Sequence, residues 1–380
     1  MSALGSSELP HSARRIVLTG SAAVTPFGNL EQSVEGVRAR RSALAPVRAF
    51  DASAFTESRG GECRDFDARP WFRVPKSLKL ADQRTRLAVG AAAMAFTSAG
   101  LGDDDAAGTG VLIGTTAHDM QTTDVGRALG PPSEGDVNDV DHFGARILRK
   151  LPPLWLLLNL PNMASAHVAI ELGARGPNST ITTEWIAGLQ AIGEAARWIA
   201  DGDADVVVAG GADCGILPLL YATLDEEGYF GDPASPFVPA EAAALFVVEE
   251  LEHARRRGAR ILGEITGYSS AAGDGAIART MKAAMRQSGS PEVDLICDAA
   301  LFARDCREEE GRAIRDVFAT PPTRFECNSL LGFSMSAAAP VALALALAAD
   351  PAQRRTILVN SLGAMQQAAS LAVISGEPQA

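Results

Sequence analysis

The segment Thr183-Glu184-Trp185-Ile186-Ala187-Gly188 lies where the sequence pattern changes from strand to helix. A sharp turn of this kind exposes one side chain, and the helix N-terminus behind it favours developing negative charge. A cysteine or serine there would make an activated nucleophile. None of these six residues suits that role. Glu184 fits a carboxylate stabilised by the helix dipole better than a catalytic base. Elsewhere the chemistry-bearing side chains are dispersed. The five cysteines, Cys63, Cys214, Cys297, Cys306 and Cys327, show no CxxC spacing. The five histidines, His11, His118, His142, His167 and His253, form no metal-ligand pattern. No phosphate-binding glycine loop and no nucleic-acid motif is present, and the net charge of −12 argues against non-specific nucleic-acid binding.

The flanking elements explain the turn. Residues 178–183, rich in Thr and Ile, predict a strand. Apolar residues then recur at helical spacing through Ile186, Leu189, Ile192, Ala196 and Ile199, until Gly202 stops the helix. Asp205–Ala209 follows as a short apolar run of the kind a doubly covered sheet buries, closed by Gly210-Gly211.

These residues carry a resemblance. Gly176-Pro177-Asn178, Thr180-Ile181, Thr183, the run Gly188–Ala195 and Ala209-Gly210-Gly211-Ala212-Asp213 together resemble the active-site stretch of the β-ketoacyl synthases of fatty-acid and polyketide synthesis. The opening Thr19-Gly20 with Val24-x-Pro26-x-Gly28 resembles the start of the same family, and the likeness extends over roughly residues 14–376. It implies a thiolase-like α/β fold, with two similar halves in an α-β-α-β-α layering. The strand–helix alternation, with an Ala-rich buried helix in each half, agrees with a duplicated α/β unit.

The resemblance also implies what an active member would need, namely a nucleophilic cysteine, two histidines and a supporting lysine. Here the cysteine position holds Trp185. In the frame Val293–Leu301, Ala299 replaces the first histidine. In Asn328–Phe333, Asn328 replaces the lysine and Phe333 the second histidine. The glycine-rich C-terminal loop has become Asn360–Gln366. The expected catalytic set is therefore empty. Trp185 and Phe333 are expected to fill the cavity where an acyl thioester would sit, burying apolar area at about 25 cal/mol per Å².

The expected organisation is a frayed tail over 1–13, an N-terminal half over 14–252 and a C-terminal half over 253–380. A continuous helix is expected over 77–100, an irregular cap over 45–75 and a strand over 325–329. Within a largely helical 115–165 and the segment after it, Trp155, Leu156, Met163, His167, Thr180 and Thr182 are the expected tunnel or interface residues. His167 is expected to be a satisfied core or interface histidine. No apolar run reaches the roughly 20 residues a membrane helix needs. The cysteine usage and the absence of a signal-like N-terminus suggest a reducing cytoplasm.

Within this family a catalytically emptied copy pairs with an active ketosynthase as a chain length factor. The resemblance implies that role, with an acyl carrier protein as transient partner and no cofactor. An edge strand near 178–183 would pair across the dimer axis. Two other readings stay open: a residual acyltransferase or hydrolase using Cys297, Cys327 or a serine, and a free-standing acyl- or carrier-binding protein. The basic runs 146–150 and 255–260 are either a carrier-docking surface or solvated helix faces.

Overall fold

The computed structural model describes residues 7–10, 14–117, 150–151, 153–231, 237–290, 292–298, 304–363 and 365–378. Ten strands form one hydrogen-bonded path. In chain order they are β1 (Ile16–Thr25), β2 (Gly110–Gly114), β3 (Asn178–Ile181), β4 (Val206–Cys214), β5 (Glu241–Glu250), β6 (Gly263–Ala272), β7 (Leu295–Cys297), β8 (Thr323–Phe325), β9 (Thr356–Leu362) and β10 (Gln367–Ser375). Their spatial order is β8-β7-β9-β10-β6-β1-β5-β4-β2-β3.

That order is a repeat about its centre. In the first half β1/β5 and β5/β4 are antiparallel, and β4/β2 and β2/β3 are parallel. In the second half β6/β10 and β10/β9 are antiparallel, and β9/β7 and β7/β8 are parallel. A short antiparallel pairing, Leu18 with Gly263 through Ile16 with Ile265, joins them. Strands buried on both faces read as continuous apolar runs rather than alternating ones. Every residue of β4 and β5 is buried accordingly.

Helices make the remaining layers. These are α1 (Gln83–Ser98), α2 (Met163–Leu172), α3 (Ala187–Asp201), α4 (Ala276–Ser288), α5 (Arg304–Val317) and α6 (Ala338–Ala349). One core joins α3 and α6 to the inner faces of both half-sheets, through Leu189, Ile192, Leu343, Phe246, Tyr268 and Val359 among others. A second core packs α1 and α2 on the outer face of the first half, and a third packs α4 and α5 on the second. The result is the α-β-α-β-α layering. The two central helices are sandwiched, which is why α6 is apolar on every side (AAPVALALALAA). Gly193 lets α3 approach the Tyr268 ring, since a Cβ there would stand 2.3 Å from a ring carbon.

Several expectations need correction. Ser7–Glu8 is not a frayed tail but a short strand paired antiparallel with Ser269–Ser270 of β6. The helix expected over 77–100 is broken: a 3-10 turn spans Ser77–Leu80, and α1 starts only after Asp82, whose carboxylate caps the Thr85 amide at 2.8 Å. The strand expected over 325–329 ends at Phe325, and Asn328–Leu331 is a helical turn. The strand expected over 178–183 ends at Ile181. Most of the expected interface insertion and the basic run 146–150 lie outside the described residues, apart from Lys150. Among the described residues no helix is long and apolar enough to cross a membrane.

Candidate functional site

The site is built where β3 runs through a 3-10 turn, Glu184–Ile186, into α3. Glu184 opens the turn at φ +55°, a left-handed conformation costly for a residue with a side chain. The second half repeats the device. A 3-10 turn, Met335–Ala337, opens with Met335 at φ +51° and feeds α6. Trp185 and Ser336 thus occupy equivalent places in two equivalent elbows. Sequence patterning alone read Phe333–Ala349 as one helix and missed the second elbow. The glycine before it, Gly332 at φ +85°, was the available signal.

The elbows brace each other. Ser361, at the end of β9, donates its hydroxyl to the Trp185 carbonyl at 3.1 Å. The Ser336 amide donates to Asp213, at the end of β4, also at 3.1 Å. Asp213 is fully buried and further accepts from the Thr116 amide (3.1 Å) and hydroxyl (2.9 Å). Burial pushes its carboxyl up, while the Arg84 guanidinium and these donors oppose that shift. Arg84 is itself buried, paired with Asp82 at 3.0 Å and bonded to the Thr116 carbonyl at 3.1 Å. The Gly188 backbone lies so close to Ser336 that an added Cβ would stand 2.1 Å from the Ser336 carbonyl oxygen.

Trp185 does not point into open space. It is 8% exposed, and its ring meets Phe333 edge-on at 5.4 Å, Tyr229 edge-on at 6.3 Å and Phe237 at 6.4 Å. Phe333 also packs on Phe237 at 5.4 Å. The row continues through Phe230 and Tyr221 to Phe50 and Phe55. Phe50 and Phe55 come from the irregular segment expected to cap the site, and they do cover this cluster. Tyr221, Tyr229, Phe230 and Phe237 were not singled out from sequence. Their signal was aromatic residues in stretches otherwise rich in Gly, Pro and acid. Among the described rings touching Trp185, Tyr229 bears a phenol, which burial pushes up.

The other expected positions are dispersed around this cluster. Asn328 is buried in the helical turn before Phe333. Ala299 lies outside the described residues. Cys297 and Cys327 are buried, and burial pushes both thiols up. A thiol held protonated and out of solvent is a poor nucleophile. Asp298 is buried and takes the Arg324 guanidinium at 2.8 Å. Among the described residues no group of three or more His, Cys, Asp or Glu is placed to hold a metal ion.

The expected interface residues gather beside β3. Thr180 shares a hydrogen bond with the Ser165 hydroxyl at 2.8 Å, tying β3 to α2. Thr182 is exposed just past the strand end. Met163 begins α2, and Trp155 and Leu156 lie on the 3-10 turn Trp155–Leu158. His167 is buried, and among the described residues no well-formed hydrogen bond reaches either ring nitrogen, while its neighbour Glu171 keeps one carboxylate oxygen unpartnered. Desolvation lowers the His167 pKa, against the opposing pull of Glu171, Asp82 and the Leu80 backbone. β3 itself is the outermost strand of its half, with Asn178 and Ser179 exposed.

A family model described as "Beta-ketoacyl synthase, N-terminal domain" matches residues 13–254. The chain belongs to the β-ketoacyl synthase family. It is 33% identical over 277 residues to a 3-oxoacyl-[acyl-carrier-protein] synthase 2 of Synechocystis, covering 67% of this chain and 62% of that protein. It is 32% identical over 275 residues to the oxytetracycline polyketide putative beta-ketoacyl synthase 1 of Streptomyces rimosus, covering 68% of this chain and 63% of that one. The matches thus span less than two thirds of these relatives' length. Among solved structures, the ishigamide ketosynthase/chain length factor superposes with a TM-score of 0.83 at 25% identity, over 96% of this chain and 100% of that chain. The thiolase-like architecture of the ketosynthases is therefore the architecture of this chain.

Proposed function

We propose that this chain is the non-catalytic chain length factor subunit of a type II polyketide or fatty-acid-like ketosynthase. It pairs with an active ketosynthase and shapes the acyl tunnel at their interface. The observation that carries the reading is the Trp185–Phe333 contact: the residues standing at the nucleophile and second-histidine positions fill each other's space. The cluster's ionisable groups, Cys214, Cys306, Tyr221 and Tyr229, stand at none of the positions where the family resemblance puts its nucleophile and histidines, and that reading leaves no group at those positions for acid–base or covalent catalysis. The elbow and its bracing are nevertheless well formed, as a subunit acting through shape and pairing requires.

Pairing rests on a second feature. Among the described residues β3 is the terminal strand of the sheet, with exposed polar positions, and Leu160 and Ile170 are exposed apolar residues. An edge of this kind needs cover. The partner in this reading is a catalytic ketosynthase, with an acyl carrier protein visiting transiently. One solved structure with which this chain superposes is named a ketosynthase/chain length factor. The residual-enzyme reading is disfavoured by the buried, protonated Cys297 and Cys327, and the free-standing binding reading by the packed Trp185 cluster.

Co-expression with a ketosynthase from the same source, read by size-exclusion chromatography with mass detection and an elongation assay, tests the proposal. A one-to-one complex whose elongation needs both chains is the expected result. A homodimer indifferent to the ketosynthase would overturn it.

A further inference from the structure

A cavity of about 440 Å³ lies at the seam where the two halves join. Its walls come from both halves: β1 (Thr19, Ser21), the segment entering β6 (Arg260, Leu262), the end of α6 (Leu347, Ala348) and the end of β10 (Ser375, Glu377). Cavities between structural units are favoured ligand sites. The floor is apolar, through Leu30, Ile261, Leu262, Leu347 and Pro351.

The polar groups of the wall are mostly committed. Thr19 donates to Glu249 at 2.6 Å. Ser98 bonds the Ala95 carbonyl at 2.9 Å and receives the Ser21 amide at 3.1 Å. Ser375 donates to the Gln353 carbonyl at 2.9 Å and receives the Arg355 amide at 2.8 Å. Arg260 differs. Its guanidinium has no hydrogen-bond or ion-pair partner among the described residues. The adjacent C-terminus of α6 would repel an anion. Its last carbonyls, however, are already taken by other arginines: Ala349 by Arg38, and Ala346 by Arg355 at 3.0 Å. The acid on the rim is Glu377, whose backbone carbonyl accepts from Arg354 at 2.5 Å. The chain's net charge of −12 acts weakly here, because charges beyond about 8 Å are screened at physiological salt.

We infer that this seam cavity binds an aliphatic monocarboxylate, its chain on the Leu262–Leu347 floor and its carboxylate forked by Arg260. An arginine presents paired N–H donors that match a carboxylate bidentately. The volume admits a chain of about eight carbons. Since both halves line the cavity, the ligand bridges them and stabilises their junction.

Isothermal titration of the full chain with octanoate, butanoate and 1-octanol tests this. Octanoate should bind, with affinity falling about fourfold for each CH₂ removed, and 1-octanol should bind far more weakly. Arg260→Gln, at an exposed position, should weaken octanoate about ten- to hundredfold without moving the melting temperature of the free chain. Glu377→Gln should tighten it by removing a like charge, and Ala348→Phe should exclude it by filling the floor. Octanoate binding unchanged in Arg260→Gln, or 1-octanol binding as tightly as octanoate, would overturn the assignment. Weaker binding in Glu377→Gln, with leucine outcompeting octanoate, would replace the monocarboxylate by a zwitterionic amino acid and equally overturn it.

Discussion

The Trp185 indole and the Phe333 ring stand edge to face, 86° apart in plane and 5.4 Å between centroids. Aromatic pairs in this geometry contribute about 0.5–1.5 kcal/mol beyond their buried area. In the function proposed above the two rings stand at the nucleophile and second-histidine positions, and each fills space beside the other. Trp185→Ala should therefore destabilise the chain by about 3–5 kcal/mol, the range for emptying a large aromatic site. Combined with Phe333→Ala, the double-mutant cycle should return a coupling of about 0.5–1.5 kcal/mol by urea denaturation. A coupling of zero would mean that the two rings fill independent space.

Thiol accessibility separates a dead subunit from a residual enzyme. Cys63, Cys214, Cys297 and Cys327 are buried, and Cys306 is partly exposed. Native protein treated with iodoacetamide should label Cys306 first, with the other four reacting only on unfolding. An acyl-thioester probe should leave the native chain unmodified by mass spectrometry. Rapid acylation of Cys297 or Cys327 would restore the residual-enzyme reading.

Pairing can be tested from the exposed side of α2. Ile170 is 58% exposed. Ile170→Asp should leave the circular dichroism spectrum and melting temperature of this chain nearly unchanged, because the side chain supports no core. It should abolish co-purification with the ketosynthase. Retained co-purification would move the interface elsewhere.

The strand, turn and helix around Trp185 were legible in sequence because they rest on short-range patterns. Glycine-bounded apolar runs mark β4, and the period of 3.6 marks α3. The break at Ala81-Asp82 was not legible, because the Ala-rich segment has helical propensity on both sides. What decides it is a cap, with the Asp82 carboxylate bonding forward to Thr85. The pairing of Ser7–Glu8 with β6 was hidden for a different reason. Two residues carry no periodicity, and the register comes from a partner more than 260 positions away. Tertiary contacts likewise assembled the aromatic row from Phe50 to Trp185. His167 was expected to be satisfied, as most buried polar groups are, and the lack of a well-formed hydrogen bond at its nitrogens among the described residues could not be foreseen from the helix it occupies.

That histidine gives the fold a pH dependence. The folded pKa of His167 lies below its ordinary value of 6.5, because burial disfavours the imidazolium. The unfolded chain takes up a proton near pH 6.5 while the folded chain does not. The stability His167 allows is therefore fully present above pH 6.5 and is lost as pH falls from there through the folded pKa. Glu241 acts in the opposite sense: burial raises its pKa, so its contribution favours folding at low pH and is lost as pH rises from 4.5 through the folded value. Only a difference between variants isolates the histidine. His167→Gln should flatten the loss of urea-unfolding stability between pH 6.5 and 5 relative to wild type. Parallel profiles for the two proteins would show that the imidazole titrates alike in both states.

The glycine of the first elbow is required by close contact with the second. Gly188 opens α3 directly behind Trp185, and its backbone is not in a left-handed conformation, so conformational freedom does not explain it. Contact does: a Cβ at this position would lie 2.1 Å from the Ser336 carbonyl oxygen and 2.9 Å from the Gly211 Cα. Both are main-chain atoms, and no side-chain rotation relieves the overlap. Gly188→Ala must therefore push the two elbows apart, stretching the Ser336–Asp213 and Ser361–Trp185 bonds together. Overpacking of this kind costs about 1–3 kcal/mol or more. Gly108→Ala, where an added Cβ meets nothing within 4 Å and the backbone is not left-handed, is the control and should be nearly neutral. Equal stability of the two variants would mean that the elbows are not in rigid contact, and that the Trp185 plug is held by its aromatic neighbours alone.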